Sequence, residues 1–433
     1  MVMLNRFAWL LVAAGLAAVP AAIPAADAAE ASPVRVGSLV DFTGPTASVG
    51  IPYGPGKQDA VAWINANGGV AGMPIDFDTF DTGYQVPPAL ARYQIWTKDG
   101  TVAVQGWGTA DTEALVRFVS EDEMPFFSAS YAADLTDPLG LGSMTKRPAP
   151  FNFIMGPSYS DGIRALLDWA KVDWQQRGQA GSPRYVHMGD NHPYPNSPKK
   201  AGEEYARELG FSILPAIQYA MTPGDVRQQC LDLKTADADY AYLGNTAASN
   251  VELLRTCRQM GVRTQFLSNI WGIDEAALKA AGTAADGVVW VMGGGTWLED
   301  NPGMAKVRAI AAASADDASY QPHHYIRGVC AVFFMREAME WAAANGGITG
   351  VRIRDGMYQK RDWVPEGFEG ACAPATWTSD DHRGFNRIRI YRARIAEPLP
   401  TDRDLATLIR SGMIAMGPVY EVTVPRKPEW LGW

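Results

Sequence analysis

From Val34 onward, short apolar runs alternate with segments whose apolar residues recur every three or four positions. VRVGSLV (Val34–Val40) reads as a strand, and Pro55–Ala66 places Ala60, Val61 and Ile64 on one helical face before Gly68-Gly69 stops it. Strand Ile75–Phe80, helix Pro88–Lys98, strand Thr101–Gln105, helix Asp111–Val119 and strand Met124–Ser128 complete a first series. After the Pro-rich stretch Asp137–Pro150 the order restarts. It runs through helix Ser160–Trp174, strand Arg184–Gly189, helix Ser197–Leu209, strand Ser212–Tyr219, helix Gly224–Lys234, strand Tyr240–Leu243, helix Ala248–Met260, strand Gln265–Ser268, helix Asp274–Ala281 and strand Gly287–Met292. Two helical segments follow the interruption at Gly293–Gly295: Pro302–Ala313 and Tyr320–Asn345. Beyond them the pattern weakens to strand Arg387–Ala393, helix Asp402–Ser411 and strand Val419–Val424.

Strands that alternate with helices predict parallel sheets covered on both faces. Two such series predict two α/β lobes, and ligands of such sheets sit beyond the carboxyl ends of the strands. The loop in LVDFTGPTASVG (Leu39–Gly50) then lies on the rim of a cleft between the lobes.

The first residues belong to a different class. One Arg, the apolar run Phe7–Val19 and the A-x-A site Ala26-Asp27-Ala28 predict a signal peptide over residues 1–28 and an oxidising periplasm as destination. There, the four cysteines suit disulfides, of which three pairings are open. Cys230 and Cys257 lie in successive helical patterns around strand Tyr240–Leu243, which favours Cys230–Cys257 with Cys330–Cys372; four separate buried thiols are the alternative. A net charge of −9 without a basic run argues against nucleic acid as a partner.

No catalytic set emerges. There is no G-x-x-x-x-G-K-[ST], no G-x-S-x-G elbow and no H-E-x-x-H, and the adjacent His323 and His324 make a poor metal pair. The expectation is a protein that is no enzyme and uses no metal or cofactor. Asp41, Asp78 and Asp81 near strand ends suit turn and cap roles. The strand-end loops offer hydroxyls, free amides and rings instead: Thr43 and Ser48 in the first loop, Trp107, Gly108 and Thr109 after the third strand, Ser130 and Tyr131 after the fourth, and Tyr194, Trp271 and Trp297 in the second series and just beyond it. Unpaired amides at helix N-termini suit an anionic group, and aromatic rings supply flat apolar walls.

These stretches resemble the leucine/isoleucine/valine-binding family, the substrate-binding proteins of ABC transporters. The likeness rests on VRVGSLVDFTGPTASVG, AVAWINANGGVAGMPIDFDTFDT, MPFFSASYAADLTD, GDNHPYPNSPKKAGEEYARELGF and the segment from TPGDVRQQC to RTQFL, and spans about Val34 to Ala393. It implies a type I periplasmic binding fold: two Rossmann-like lobes, each a mostly parallel sheet flanked by helices, joined by three hinge crossovers. Lobe 1 would comprise residues 33–153 and 296–376, and lobe 2 residues 154–295 and 377–433. The resemblance puts ligand contacts at Gly108-Thr109, Ser130-Tyr131-Ala132, Tyr194 and Thr246, with Val49 over the cleft. It also implies a monomer that hands a small-molecule ligand to an ABC permease in the inner membrane; a sensor presenting its closed form to a membrane receptor is the alternative. Amino-acid-binding members pair the ligand's ammonium with an acid just after the strand matching Gln265–Ser268, but here that position falls near Ile270 in LSNIWGID. A buried ammonium without an anion is costly. The expected ligand is therefore an apolar or aromatic carboxylate in place of a plain amino acid.

Overall fold

The computed structural model describes residue 1, residues 32–315 and residues 319–433. The predicted signal peptide lies outside the described residues apart from residue 1. The first series folds as β1 (Val34–Val40), α1 (Ala47–Ala66), β2 (Ile75–Asp81), α2 (Val86–Asp99), β3 (Ala103–Gln105), α3 (Thr109–Glu121), β4 (Phe126–Ser128) and β5 (Asn152–Ile154). Its five strands form a parallel sheet in the order β2-β1-β3-β4-β5.

The second series comprises α4 (Tyr159–Gln176), β6 (Arg184–Gly189), α5 (Pro193–Asn196), α6 (Lys199–Glu208), β7 (Ser212–Ile213), β8 (Ile217–Gln218), α7 (Arg227–Thr235), β9 (Tyr240–Leu243), α8 (Ala247–Gln259), β10 (Gln265–Ser268), α9 (Glu275–Ala281) and β11 (Val289–Met292). The chain then adds α10 (Pro302–Ser314), α11 (His323–Ala344) and α12 (Gly350–Met357). It continues with the hairpin β12 (Thr376–Thr378) and β13 (Asp381–Gly384), then β14 (Arg387–Ile395), α13 (Leu405–Arg410) and β15 (Ile414–Thr423). The second sheet has the order β15-β14-β11-β10-β9-β6-β7, with β8 also on β6. Strands β6 to β11 run parallel, and β14 and β15 join them antiparallel.

Two glycines bring α11 back onto the first lobe. A side chain at Gly56 would overlap the carbonyl of Tyr325, and one at Gly328 would overlap that of Tyr53, so α1 and α11 touch backbone to backbone there. The hairpin hangs on the same lobe: His382 donates its amide to the Thr136 carbonyl, and its ring bonds the Asn152 carbonyl at 2.8 Å. Cys230–Cys257 clips α7 to α8, with Cα atoms 4.9 Å apart. Cys330–Cys372 ties α11 to the loop before β12, with Cα atoms 5.6 Å apart. Among the described residues no helix is long and apolar enough to cross a membrane.

Three local expectations are corrected. α1 starts at Ala47 and runs through Pro52 and Pro55, although proline removes a helix donor. Packing overrides propensity there: Gly50 and Gly54 let the first turns lie directly on Asp41 and Phe42, where a β-carbon would collide. The strand expected over Ser212–Tyr219 is broken between β7 and β8, where Pro215 cannot donate to a ladder. The weakly patterned stretch after Asn345 holds α12 and the β12–β13 hairpin.

Candidate functional site

The two sheets point the carboxyl ends of their strands at one another. From the first lobe come Thr46 and Val49 after β1, Tyr84 after β2, Trp107, Gly108 and Thr109 after β3, and Ala129 after β4. The second lobe answers with Tyr159 at the start of α4, Tyr194 after β6, Thr246 after β9 and Trp271 after β10. Between them is an apolar chamber of about 30 Å³, room for a water or two. The lobes meet across it. Thr246 Oγ1 donates to the Pro45 carbonyl at 3.4 Å. The rings of Tyr84 and His192 lie 5.1 Å apart, and those of Tyr53 and Trp271 5.5 Å apart.

Each wall is ordered by one polar side chain. Asp41 accepts from the amides of Thr43, Gly44 and Thr46 and from the Thr46 hydroxyl at 2.6 Å. Thr46 Oγ1 in turn receives the Trp107 indole N–H at 3.1 Å. In the second lobe Asn269 Nδ2 donates to the carbonyls of Leu243, Gly244 and Asn245, while its Oδ1 accepts from the Trp271 amide and the Tyr194 hydroxyl. Tyr84 holds a left-handed backbone (φ 55°), rare for a bulky residue and tolerated where the surroundings over-determine it. This conformation aims its hydroxyl at the start of α3, where it accepts the Thr109 N–H at 3.0 Å. Thr109 Oγ1 and Ser130 Oγ share a 2.8 Å hydrogen bond.

The structure thus brings Trp107, Gly108, Thr109, Tyr194, Thr246 and Trp271 into the chamber wall. Ser130 stands behind Thr109, Tyr131 lies 5.3 Å from the Trp271 ring, and Ala132 is buried with its amide directed to Ser130 Oγ. Two sequence candidates are not brought in. Thr43 is exposed and bonds Asp81 at 2.9 Å; Ser48 lies on α1 outside the lining. In their place Thr46 and Val49 face inward, because the helix begins eight residues earlier than the pattern predicts.

Behind the chamber wall stand two ionisable side chains that sequence reasoning missed. Arg327, 3% exposed, stacks 3.5 Å from the centre of the Trp271 ring. It donates to the Tyr131 hydroxyl at 2.7 Å and the Ile270 carbonyl at 3.1 Å, and forms no ion pair among the described residues. Asp111, in the first turn of α3, is buried. Burial pushes its carboxyl up to about 7, against the pull of nearby first-turn amides. Below neutrality it is therefore largely protonated, which removes a negative charge from the start of α3. Asp274 caps α9 through the Ala277 amide. Glu275 takes the His323 amide and ring N–H, each at 2.9 Å, which keeps its carboxyl below the usual range although burial opposes it.

A model described as periplasmic binding protein matches residues 33–397. The chain belongs to the periplasmic binding protein family. The chain is 24% identical over 255 residues to a Leu/Ile/Val-binding protein homolog 7 of Brucella abortus (strain 2308), covering 58% of the chain and 62% of that relative's length. It is 25% identical over 275 residues to the Leu/Ile/Val-binding protein of Escherichia coli (strain K12), covering 62% and 70%. In fold it matches a branched-chain amino acid ABC transporter structure from Thermus thermophilus with bound valine (TM-score 0.77, 20% identity, 92% of this chain and 97% of that one). A fatty acid ABC transporter substrate-binding protein from Thermomonospora curvata is also similar (TM-score 0.74, 16% identity, 92% and 94%). The type I periplasmic binding fold accounts for the paired sheets and the cleft between their strand ends.

Proposed function

We propose that this is the periplasmic substrate-binding component of an ABC importer, which closes two lobes over a small apolar or aromatic carboxylate and presents it, as a monomer, to an inner-membrane permease. One observation carries the ligand class: an apolar, ring-lined chamber with the guanidinium of Arg327 stacked on its Trp271 wall and no carboxylate partner for that guanidinium among the described residues. A buried unpaired cation is costly, and an anionic guest offsets that cost. The fold alone is neutral on this point, since one neighbour is described with bound valine and another as a fatty acid protein.

In this reading the Thr109 and Ser130 hydroxyls and the first amides of α3 take the carboxylate, with Tyr84 yielding the Thr109 N–H. Tyr131, Tyr194 and Trp271 contact the ligand's body, framed by Trp107, Gly108, Ala132 and Thr246. Contacts made by both lobes at once favour the closed state, and the ligand acts by population shift. Native mass spectrometry of the purified protein is the test. The expected result is a co-purified small carboxylic acid; a bound guest without a carboxylate would overturn the reading.

A further inference from the structure

Outward from the ring-lined chamber, a second space of about 400 Å³ lies between the lobes. Glu113, Asp134 and Lys146 line it from the first lobe, and Ser160, His192 and Lys200 from the second. Ser160 follows Tyr159 and His192 stands two residues before Tyr194, so the same two turns wall both chambers. The Tyr84–His192 ring contact stands between them.

On the first-lobe side of this outer space the charges do not cancel. Glu113 and Asp134 share one ammonium, that of Lys146, at 3.6 and 3.5 Å. The two carboxylates are largely screened from water, whereas the lysine is 70% exposed and loosely held. Two acids against one lysine leave a net charge of −1. Lys200 opposite has its own acid, Glu204, at 3.2 Å. Ser160, which lines the space, is 1% exposed, and its hydroxyl has no hydrogen-bond partner. Glu113 lies one helical turn beyond Thr109, roughly 6 Å further along α3, and Asp134 follows Ser130 by the same four residues.

We propose that the outer chamber receives a cationic end of the ligand, a primary amine held by Glu113 and Asp134 in place of Lys146, with Ser160 Oγ accepting a further hydrogen bond. The guest is then an acid whose amine is remote from its carboxylate, such as an ω-amino acid. The proposal rests on the carboxylate reading of the inner chamber. An ammonium placed there without an acid would weaken binding, so the sign of its effect reports on the two carboxylates.

Calorimetric titration with hexanoate and 5-aminopentanoate, which differ by methyl against ammonium, provides the test. The parent is expected to bind 5-aminopentanoate at least tenfold more tightly than hexanoate. In the double variant Glu113→Gln/Asp134→Asn the order reverses while hexanoate affinity is unchanged, which also controls for folding. Lys146→Met, which removes the competing ammonium, should tighten 5-aminopentanoate further and leave hexanoate alone. If hexanoate binds but the amine adds nothing, or its gain survives the double substitution, this inference falls and the carboxylate reading stands. If neither compound binds, the carboxylate reading falls and takes the inference with it.

Discussion

The inner and outer chambers are built by opposite means. The inner one, about 30 Å³, is walled by rings whose loops are pinned by Asp41 and Asn269 through networks of buried hydrogen bonds. The outer one, about 400 Å³, is walled by ionic side chains, the carboxylates of Glu113 and Asp134 and the solvent-reaching Lys146 among them. Packed rings tolerate little change in volume, whereas exposed ion pairs rearrange at small cost. The difference assigns shape to the inner chamber and charge to the outer one, and it can be attacked from both sides.

The largest effect should come from Trp271→Ala. The ring packs against Tyr53, Tyr131, His324 and Arg327, and its loss should cost about 3–5 kcal/mol in denaturant unfolding. Next comes Asp111. Its carboxyl is raised to about 7, so its contribution to stability is complete below the ordinary carboxylate range and is lost as pH rises through 7. Asp111→Asn should therefore gain about 2–4 kcal/mol relative to the parent at pH 8 and little at pH 4. Hexanoate affinity should fall between pH 6 and pH 8 in the parent and stay level in the variant, as calorimetry at each pH would record. Thr109→Ala should weaken hexanoate binding about tenfold while costing the empty protein only about 1 kcal/mol for the lost bond to Ser130. Smallest is Lys146→Ala, whose exposed pairs should be worth less than about 1 kcal/mol in a thermal melt. A loss as large as that of Trp271→Ala would erase the distinction between the chambers.

The same distinction explains what was legible in the sequence. Trp107, Gly108, Thr109, Tyr194 and Trp271 could be picked because each lies in the loop or first turn after a strand, and strand ends face the cleft, whereas Thr246 came from the family resemblance. The βα order was legible for a similar reason, since periodicity reports which face each element buries. Tyr84 was not, because its direction depends on a left-handed backbone that no pattern of apolar residues encodes. Thr46 and Val49 turned inward only because α1 extends across Pro52 and Pro55, a choice made by glycine packing against the first loop. Arg327 reads as one charge in the apolar first half of α11; its meaning comes from Ile270 and Trp271, which the fold brings to it from the other lobe.

The central claim is that two hinged lobes close on a carboxylate. Small-angle X-ray scattering of the protein, stripped of co-purified small molecules and then titrated with hexanoate, tests it most directly. A radius of gyration that shrinks along the same saturation curve as the calorimetric binding is the predicted result. Saturable binding with no change in the radius would contradict it.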